Sequence, residues 1–260
     1  SFFFDRNREP HLSHSVLSLP LKTNDTIIGV LTLHNRTRQG GFTGETLHLV
    51  SILCSTMAAT IAGKRLYNKL EKGYLDTITA LVAALDAKDP YTAGHSERVM
   101  RYAEGIALEM QLSPERIRIL RFAALLHDIG KIGIKGEIIR KKSELTEEEF
   151  KIIRQHPIIG EQIISAIDFL RETKAYIKYH HERYDGSGYY HKNFEEIPTE
   201  ALILNVADSF DAMTTDRPYR KGDSYSEAVD KMRKDVGHQF DPVTFEALLG
   251  FLRKNGYITV

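Results

Sequence analysis

Histidine and aspartate residues recur in the C-terminal part of the chain at the ends of segments with helical patterning, or within them. They are His95, His127, Asp128, His156, His180, His181 and Asp208. Imidazole and carboxylate groups are typical ligands of transition metals. Neighbouring residues on a helix point about 100° apart, so a His-Asp pair and a His-His pair suit two metals better than one. This feature predicts helices that gather these side chains into one polynuclear site.

Each member of this set has an ordinary interpretation when it is taken alone. On its own, His95 would be a histidine that caps a helix or lies at the surface. His180-His181 would be a pair exposed to solvent. His156, next to Pro157, suits a cation at the end of a helix. Asp208 follows an apolar helical run, where an unpaired carboxylate is costly. Taken together, the residues favour a metal site.

Composition excludes some classes of function. Of the 260 residues, 42% are hydrophobic, which is enough for one large domain or two modest ones. Lys and Arg equal Asp and Glu at 35 each, so we expect no binding to nucleic acid or to an anionic membrane. No stretch approaches the roughly 20 apolar residues of a membrane span. The single cysteine, Cys54, excludes an internal disulfide and fits a reducing, cytoplasmic location.

The residue pattern of the N-terminal part predicts a sheet, and that of the rest predicts helices. The expected fold class is therefore α+β overall. Residues 15–34 contain two β-rich runs around a turn and indicate a hairpin. A helical pattern starts near Thr46 and either breaks at Lys72-Gly73 or continues to Ala87. Because the chain opens on Ser1-Phe2-Phe3, we expect a piece of a longer protein.

The N-terminal piece resembles the second half of a GAF domain, a small sensor or dimerisation module. The likeness is carried by Leu19-Pro20-Leu21, Ile28 to Leu33, Phe42 and Lys64 to Tyr67. It implies that residues 1–70 are a partial GAF α/β sensor piece with an outgoing helix. Since the half that closes the ligand pocket is not visible, a dimerisation scaffold is the favoured interpretation.

The remainder resembles the HD-GYP family, a branch of the HD superfamily whose members hydrolyse cyclic di-GMP. The carriers are Asp89 to Ser96, Leu126 to Lys131, His156 to Gly160, His180 to Tyr189, Ala207 to Arg220 and Gly237 to Pro242. The resemblance implies that residues 71–260 form an all-α HD-type helical bundle, joined to the first part by the long helix. It also implies a metal-dependent phosphodiesterase that yields linear pGpG, and further GMP, under control of the N-terminal sensor.

The same resemblance assigns the metal ligands. His95, His127, Asp128 and Asp208 would hold one metal, and Asp128 would bridge to a second held by His156, His180 and His181. Some members bind a third metal through a Glu four residues before the first His. That position is Tyr91 here, so we expect two metals. Iron is the usual metal, with manganese as the alternative.

Substrate residues follow from the resemblance and from charge. Asp128 and Lys131 are the candidate catalytic residues, with Lys131 as a point charge on the phosphate. Gly188 and Tyr189 would contact the base, and Arg217 and Arg220 would clamp the second phosphate. The chain departs from the family at Tyr190, which stands where the GYP motif has proline.

Other hypotheses remain open. The same chemistry would serve another cyclic dinucleotide, and a catalytically silent module could bind a nucleotide or a diguanylate cyclase domain. The altered GYP motif favours the silent module slightly, whereas the complete ligand set argues against it. We expect a homodimer through the helix of residues 46–88, the alternative being a helix packed only within its own chain.

Overall fold

A computed structural model of the chain describes residues 15–24, 26–35, 41–86, 94–141, 143–216 and 221–258. These residues are mostly helical, with one two-stranded sheet. They divide into two compact units, Ser1–Tyr74 and Leu75–Val260. The first unit ends at Tyr74, close to the boundary at residue 70 expected from the sequence.

The first unit consists of a hairpin and the first part of a long helix. Strands β1 (Ser15–Thr23) and β2 (Thr26–Asn35) pair antiparallel, with Leu19 opposite Leu31. Helix α1 is Gly44–Asp86. Its apolar face and the inner face of the hairpin form one cluster, whose buried members are Leu19, Leu21, Cys54 and Ala58. The predicted hairpin is confirmed, but a full GAF fold is not evident in the described residues.

Helix α1 continues through Gly73, so of the two expected alternatives the uninterrupted helix is correct. Its segment Gly44–Ala83 is long and apolar enough, by length and composition, to cross a membrane, with a mean hydropathy of 1.5 in one window. The expectation that no stretch reaches this length and apolarity is therefore wrong. One such helix is weak evidence for a membrane span, because helices of soluble proteins meet the same criterion.

The second unit is a bundle of helices. After the end of α1 come α2 (His95–Glu109), α3 (Pro114–Leu126), α4 (Gly136–Ile139), α5 (Glu147–Ile153), α6 (His156–Ile164), α7 (Thr173–Tyr179), α8 (Thr199–Thr214), α9 (Tyr225–Arg233) and α10 (Pro242–Lys254). Short 3₁₀ helices occupy Ile129–Gly133, Asp168–Leu170 and Phe194–Glu196. The all-α bundle expected for this part is confirmed in the described residues.

Helix α8 lies at the centre of the bundle. Its sequence is apolar on nearly every side, and every residue from Glu200 to Ala207 is buried. A helix without a polar face must be surrounded, and α2, α7, α9 and α10 all contact it. Asp208 therefore enters the site from the most enclosed helix of the unit.

Local signals fix where several helices begin. Ser113 caps α3 ahead of Pro114, and Thr146 forms a capping box with Glu149 at α5. His156 differs from the prediction, which placed it at the end of α5. It is the first residue of α6, because Pro157 lacks an N–H and suits the first turn of a new helix.

Candidate metal centre

All seven predicted ligands come together, each from the end of a helix or from α8. His95 is the first residue of α2, His127 and Asp128 follow α3, and His156 starts α6. His180 and His181 follow α7. Two groups of three offer ligand atoms within 4.8 Å of one another: His95, His127 and Asp128, and His156, His180 and His181. Asp208 adjoins the first group, since its Oδ1 lies 3.3 Å from Nε2 of His95.

Asp128 lies between the two groups. Its Oδ1 is 3.3 Å from Nε2 of His156. Its Oδ2 is 3.5 Å from Nε2 of His127 and 4.0 Å from Nε2 of His95. Each oxygen therefore faces a different group, which is the arrangement of a carboxylate that bridges two cations.

The close approach of Asp128 to His156 depends on Gly130. A Cβ at this position would lie 1.8 Å from the carbonyl oxygen of His156 and 2.6 Å from the amide nitrogen of Gly160. Only glycine lets the 3₁₀ turn after α3 contact the start of α6 this closely. The backbone contact brings the Asp128 carboxylate to the second group of histidines.

Three of the histidines have their tautomer set by the backbone. Nδ1 of His127 lies 2.7 Å from the carbonyl oxygen of Ala124. Nδ1 of His156 lies 2.8 Å from the carbonyl oxygen of Ile153, and Nδ1 of His180 lies 2.6 Å from that of Ile177. A carbonyl only accepts, so each Nδ1 carries the proton and donates it. Each Nε2 then presents a lone pair to the site, as a metal ligand must.

These lone pairs fit a cation. Nε2 of His156 and Nε2 of His180 are 3.5 Å apart, and neither can donate to the other in the neutral tautomer. Nε2 of His127 is buried and finds no hydrogen-bond partner in the described part of the chain. Buried acceptors without a donor are costly unless a cation lies between them. The residues present therefore fit a two-metal centre of nitrogen and oxygen ligands.

Electrostatics divide the site into two halves. In the half made by α6 and α7, burial lowers the pKa of His156, lowers that of His180 strongly, and lowers the pKa of His181 to about 3. These imidazoles are neutral at pH 7 and free to bind a metal.

In the other half the carboxylates dominate. Burial by itself lowers the pKa of His95, but hydrogen bonds to Asp208 and Asp211 outweigh it and raise this pKa to about 10. Burial acts against ionisation of Asp128 as well, yet Lys131 and His127 hold the pKa of Asp128 well below its ordinary value. The pKa of Asp208 is lowered as well, because the hydrogen bond and the charge of His95 lower it by more than burial raises it.

Asp211 was not among the site residues predicted from the sequence. This carboxylate is 1% exposed, and its Oδ2 accepts from Nδ1 of His95 at 2.8 Å. Arg98 donates to both of its oxygens, from Nε at 2.6 Å and from Nη2 at 3.0 Å. The available signal was a second acidic residue three positions after Asp208 on an otherwise apolar helix.

The predicted substrate residues are only partly described. Nζ of Lys131 donates to Oδ2 of Asp128 at 2.5 Å, so its charge lies beside the centre. The ring of Tyr189 lies 4.7 Å from that of His181, between centroids. Gly188 is buried where a Cβ would be 2.5 Å from Cα of Glu182. Arg217 and Arg220 lie outside the described residues.

Glu182 was also missed, and it holds the segment that carries Tyr189. The residue is 0% exposed, and its carboxylate accepts from the amides of Tyr190 at 2.6 Å and Lys192 at 3.0 Å. The hydroxyl of Tyr190 donates to the carbonyl of Arg154 at 3.2 Å. Tyr190 thus anchors the segment through a main-chain N–H that proline does not have.

Comparison with known proteins agrees with this architecture. An HD domain model matches residues 80–243, and a GAF domain model matches residues 4–61. The chain is 39% identical over 181 residues to 3'3'-cGAMP-specific phosphodiesterase 3 of Vibrio cholerae, covering 69% of this chain and 39% of that protein. It is 37% identical over 185 residues to the cyclic di-GMP phosphodiesterase response regulator RpfG of Xanthomonas campestris, covering 70% and 49%. The chain therefore spans less than half the length of these two relatives.

A solved structure shares the fold. It is the HDG"Y"P protein Bd1817 of Bdellovibrio bacteriovorus, with a TM-score of 0.55, 15% identity and coverage of 92% of this chain and 99% of that one. The resemblance predicted from the sequence motifs is confirmed, and the HD domain match extends over more than half of the chain. On this match, the chain belongs to the HD domain family.

Proposed function

We propose that the second unit is a metal-dependent phosphodiesterase of cyclic dinucleotides, with cyclic di-GMP as the substrate. The observation that carries the proposal is the position of Asp128, with one oxygen facing each group of histidines. Two relatives named as phosphodiesterases of cyclic di-GMP and of 3'3'-cGAMP support this substrate class.

The reaction is the hydrolysis of one of the two phosphodiester bonds. Water adds to phosphorus, the bond to the 3'-oxygen breaks, and the ring opens to linear pGpG, with GMP as the product of a second cleavage. Two divalent ions, iron or manganese, would when bound supply activation of the water and neutralisation of charge on the phosphate. His95, His127, Asp128 and Asp208 would hold one ion, and His156, His180 and His181 the other, with Asp128 shared.

The chain's own residues then bind and orient the substrate. Lys131 places its ammonium beside Asp128, where it can contact a phosphate oxygen once the dinucleotide is bound. Tyr189 lies against His181, with the guanidinium of Arg154 over its ring at 5.0 Å from the centroid, and it remains the candidate contact of a base. Arg217 and Arg220 remain the predicted contacts of the second phosphate.

A second candidate substrate is 3'3'-cGAMP, because one of the relatives at 39% identity is named for it. The two substrates differ in one base, so the choice depends on base contacts and not on the metal ligands.

We also propose that the first unit acts as a sensor and dimerisation module, that a diguanylate cyclase domain is a candidate partner, and that the protein acts in the cytoplasm.

The test is turnover of each dinucleotide by protein purified without oxygen and loaded with Mn²⁺ or Fe²⁺. We expect cyclic di-GMP to be cleaved to pGpG and the His127→Ala variant to lose at least about 100-fold in rate, since it removes a ligand of the proposed centre. Faster cleavage of 3'3'-cGAMP would favour the second candidate. Binding of either dinucleotide without cleavage by the metal-loaded protein would instead indicate a silent signalling module.

A further inference from the structure

His95 differs from three other histidines of the centre in what holds its ring. His127, His156 and His180 each donate from Nδ1 to a backbone carbonyl three residues earlier. His95 starts its helix, and its Nδ1 faces the carboxylate of Asp211 at 2.8 Å. A carboxylate is charged and accepts more strongly than a neutral carbonyl.

Asp211 is itself held in place. Arg98 approaches with its guanidinium fork and donates to both carboxylate oxygens, at 2.6 and 3.0 Å. Arg98 follows His95 by three residues on α2, and Asp211 follows Asp208 by three residues on α8. Residues at this spacing share a helix face, so two residues of each helix meet. In this contact, Nε2 of His95 is left pointing at Asp208, 3.3 Å from its Oδ1.

The hydrogen bond at one ring nitrogen determines what the other can do. Because Asp211 only accepts, it keeps a proton on Nδ1, so Nε2 is the ring nitrogen that gives up its proton to a metal. It also makes the imidazole a stronger donor to a metal. We propose that Asp211, fixed by Arg98, is the positioning residue for His95. It sets the affinity of the metal position of His95, His127, Asp128 and Asp208 without changing the position of His156, His180 and His181.

This inference rests on the proposed two-metal centre, and a matched pair elsewhere in the unit separates it from a purely structural role. Glu200 is a second buried carboxylate of α8, 3% exposed, and Nε of Arg116 donates to its Oε1 at 2.6 Å. Loss of this pair should disturb folding much as loss of the Asp211–Arg98 pair does. It involves no candidate metal ligand.

The experiment is a calorimetric titration of the metal-free protein with Mn²⁺ alone, together with thermal unfolding of each metal-free variant. The variants are Asp211→Asn, Arg98→Lys and Glu200→Gln. Asn keeps the shape of Asp but can turn its NH₂ toward Nδ1, which favours the proton on Nε2. We expect Asp211→Asn to weaken one of two binding steps by roughly 10- to 100-fold and to leave the other unchanged. We expect Glu200→Gln to leave both steps unchanged, although its unfolding temperature falls.

Unchanged steps in Asp211→Asn would overturn the inference, and so would equal weakening of both steps. If Asp211→Asn does not fold, Arg98→Lys decides: it should weaken the same single step by a smaller factor, and two unchanged steps would overturn the role of the pair. A wild-type protein that binds fewer than two Mn²⁺ ions would contradict the proposed centre instead, so the two failures are distinguishable.

Discussion

Asp128 and the histidines around it determine the protonation state of the candidate site before any metal binds. His95 has its pKa raised to about 10, so it carries a proton at pH 7 in the metal-free protein. The pKa of His127 is raised as well, because Asp128 and Asp208 outweigh its burial. A metal must displace the proton that His95 carries, whereas His180 and His181 have lowered pKa values and have none to lose.

The first prediction is that metal uptake releases protons. At pH 7 we expect about one proton to be released per chain as Mn²⁺ binds, from His95, whose pKa is raised to about 10. Affinity should therefore fall as the pH falls below 7, and the release should diminish as the pH rises toward 10. Calorimetry in buffers of different ionisation enthalpy measures the number. His95→Ala is the control and should reduce it by about one, and a binding heat independent of buffer would contradict the assignment.

The residue types and order of the ligands were predictable, but their supporting residues were not. Histidines and aspartates near predicted helix ends stand out in the sequence because imidazole and carboxylate groups are typical ligands of transition metals. Asp211 owes its role to burial and to a partner far along the chain, His95, and Glu182 owes its role to burial within the irregular segment that leads to Tyr190. Neither produces a periodic signal, so only the folded arrangement identifies them.

At the scale of elements, the contact between the 3₁₀ turn Ile129–Gly133 and the start of α6 joins the two halves of the centre. We predict that Gly130→Ala destabilises the protein by about 1–3 kcal/mol, since its methyl group must displace backbone atoms of α6. The displacement should also weaken metal binding, because Asp128 and His156 move apart.

Gly133→Ala in the same turn is the control. The three heavy atoms nearest to its Cβ would all belong to the side chain of Ile159, the closest at 3.1 Å, and this side chain can adjust. Urea unfolding of the metal-free variants and Mn²⁺ titration measure the two effects. If the two variants have the same unfolding free energy and the same Mn²⁺ affinity, the close approach of backbone at Gly130 is not needed for stability or metal binding.

The segment after Glu182 gives a second prediction at this scale. Tyr190→Pro introduces the residue expected from the GYP motif, but it removes the N–H that donates to the buried Glu182 carboxylate. We expect a loss of about 1–3 kcal/mol in unfolding free energy, as for other buried acceptors that lose a donor. Amide exchange across residues 186–196 should become faster.

Tyr190→Phe keeps the N–H and loses only the hydroxyl contact with Arg154, so it should retain most of the stability. Hydrogen exchange read by mass spectrometry, with urea unfolding, compares the two variants. A Tyr190→Pro protein as stable and as protected as the wild type would show that this hydrogen bond does not anchor the segment.

Element boundaries were predictable where a capping residue or a proline marks them, as at Ser113 and Thr146. They were not predictable where packing overrides a local signal. Gly73 does not interrupt α1, and His156 opens a helix where the sequence pattern closed one. The cost of one glycine within a helix is only about 1 kcal/mol, which neighbouring helical residues can offset.

For the whole molecule, the exposed side of α1 bears on the expected homodimer. Within the first unit, one side of α1 packs on the hairpin while Leu49, Leu53, Tyr67 and Leu70 are 61, 51, 46 and 52% exposed. These positions recur at spacings that fit a heptad, as do Thr56, Thr60 and Gly63 between them. We propose that a second copy of the chain covers this row.

The corresponding prediction is that Leu70→Glu shifts the protein from dimer to monomer, because it places a charge in the apolar row. Arg65→Glu is the control, since it adds a glutamate on the opposite side of the same helix. Sedimentation equilibrium measures the mass of each variant. A monomeric wild type, or a protein that remains in the membrane fraction, would contradict a dimer formed through this row.

Anomalous diffraction from crystals soaked in Mn²⁺ would locate the ions of the proposed two-metal centre bridged by Asp128. We predict two manganese peaks in the second unit, one beside His95, His127 and Asp208 and one beside His156, His180 and His181. Asp128 should bind one ion through each oxygen. A single peak, or two peaks with both oxygens of Asp128 on the same ion, would show that Asp128 does not bridge two metals.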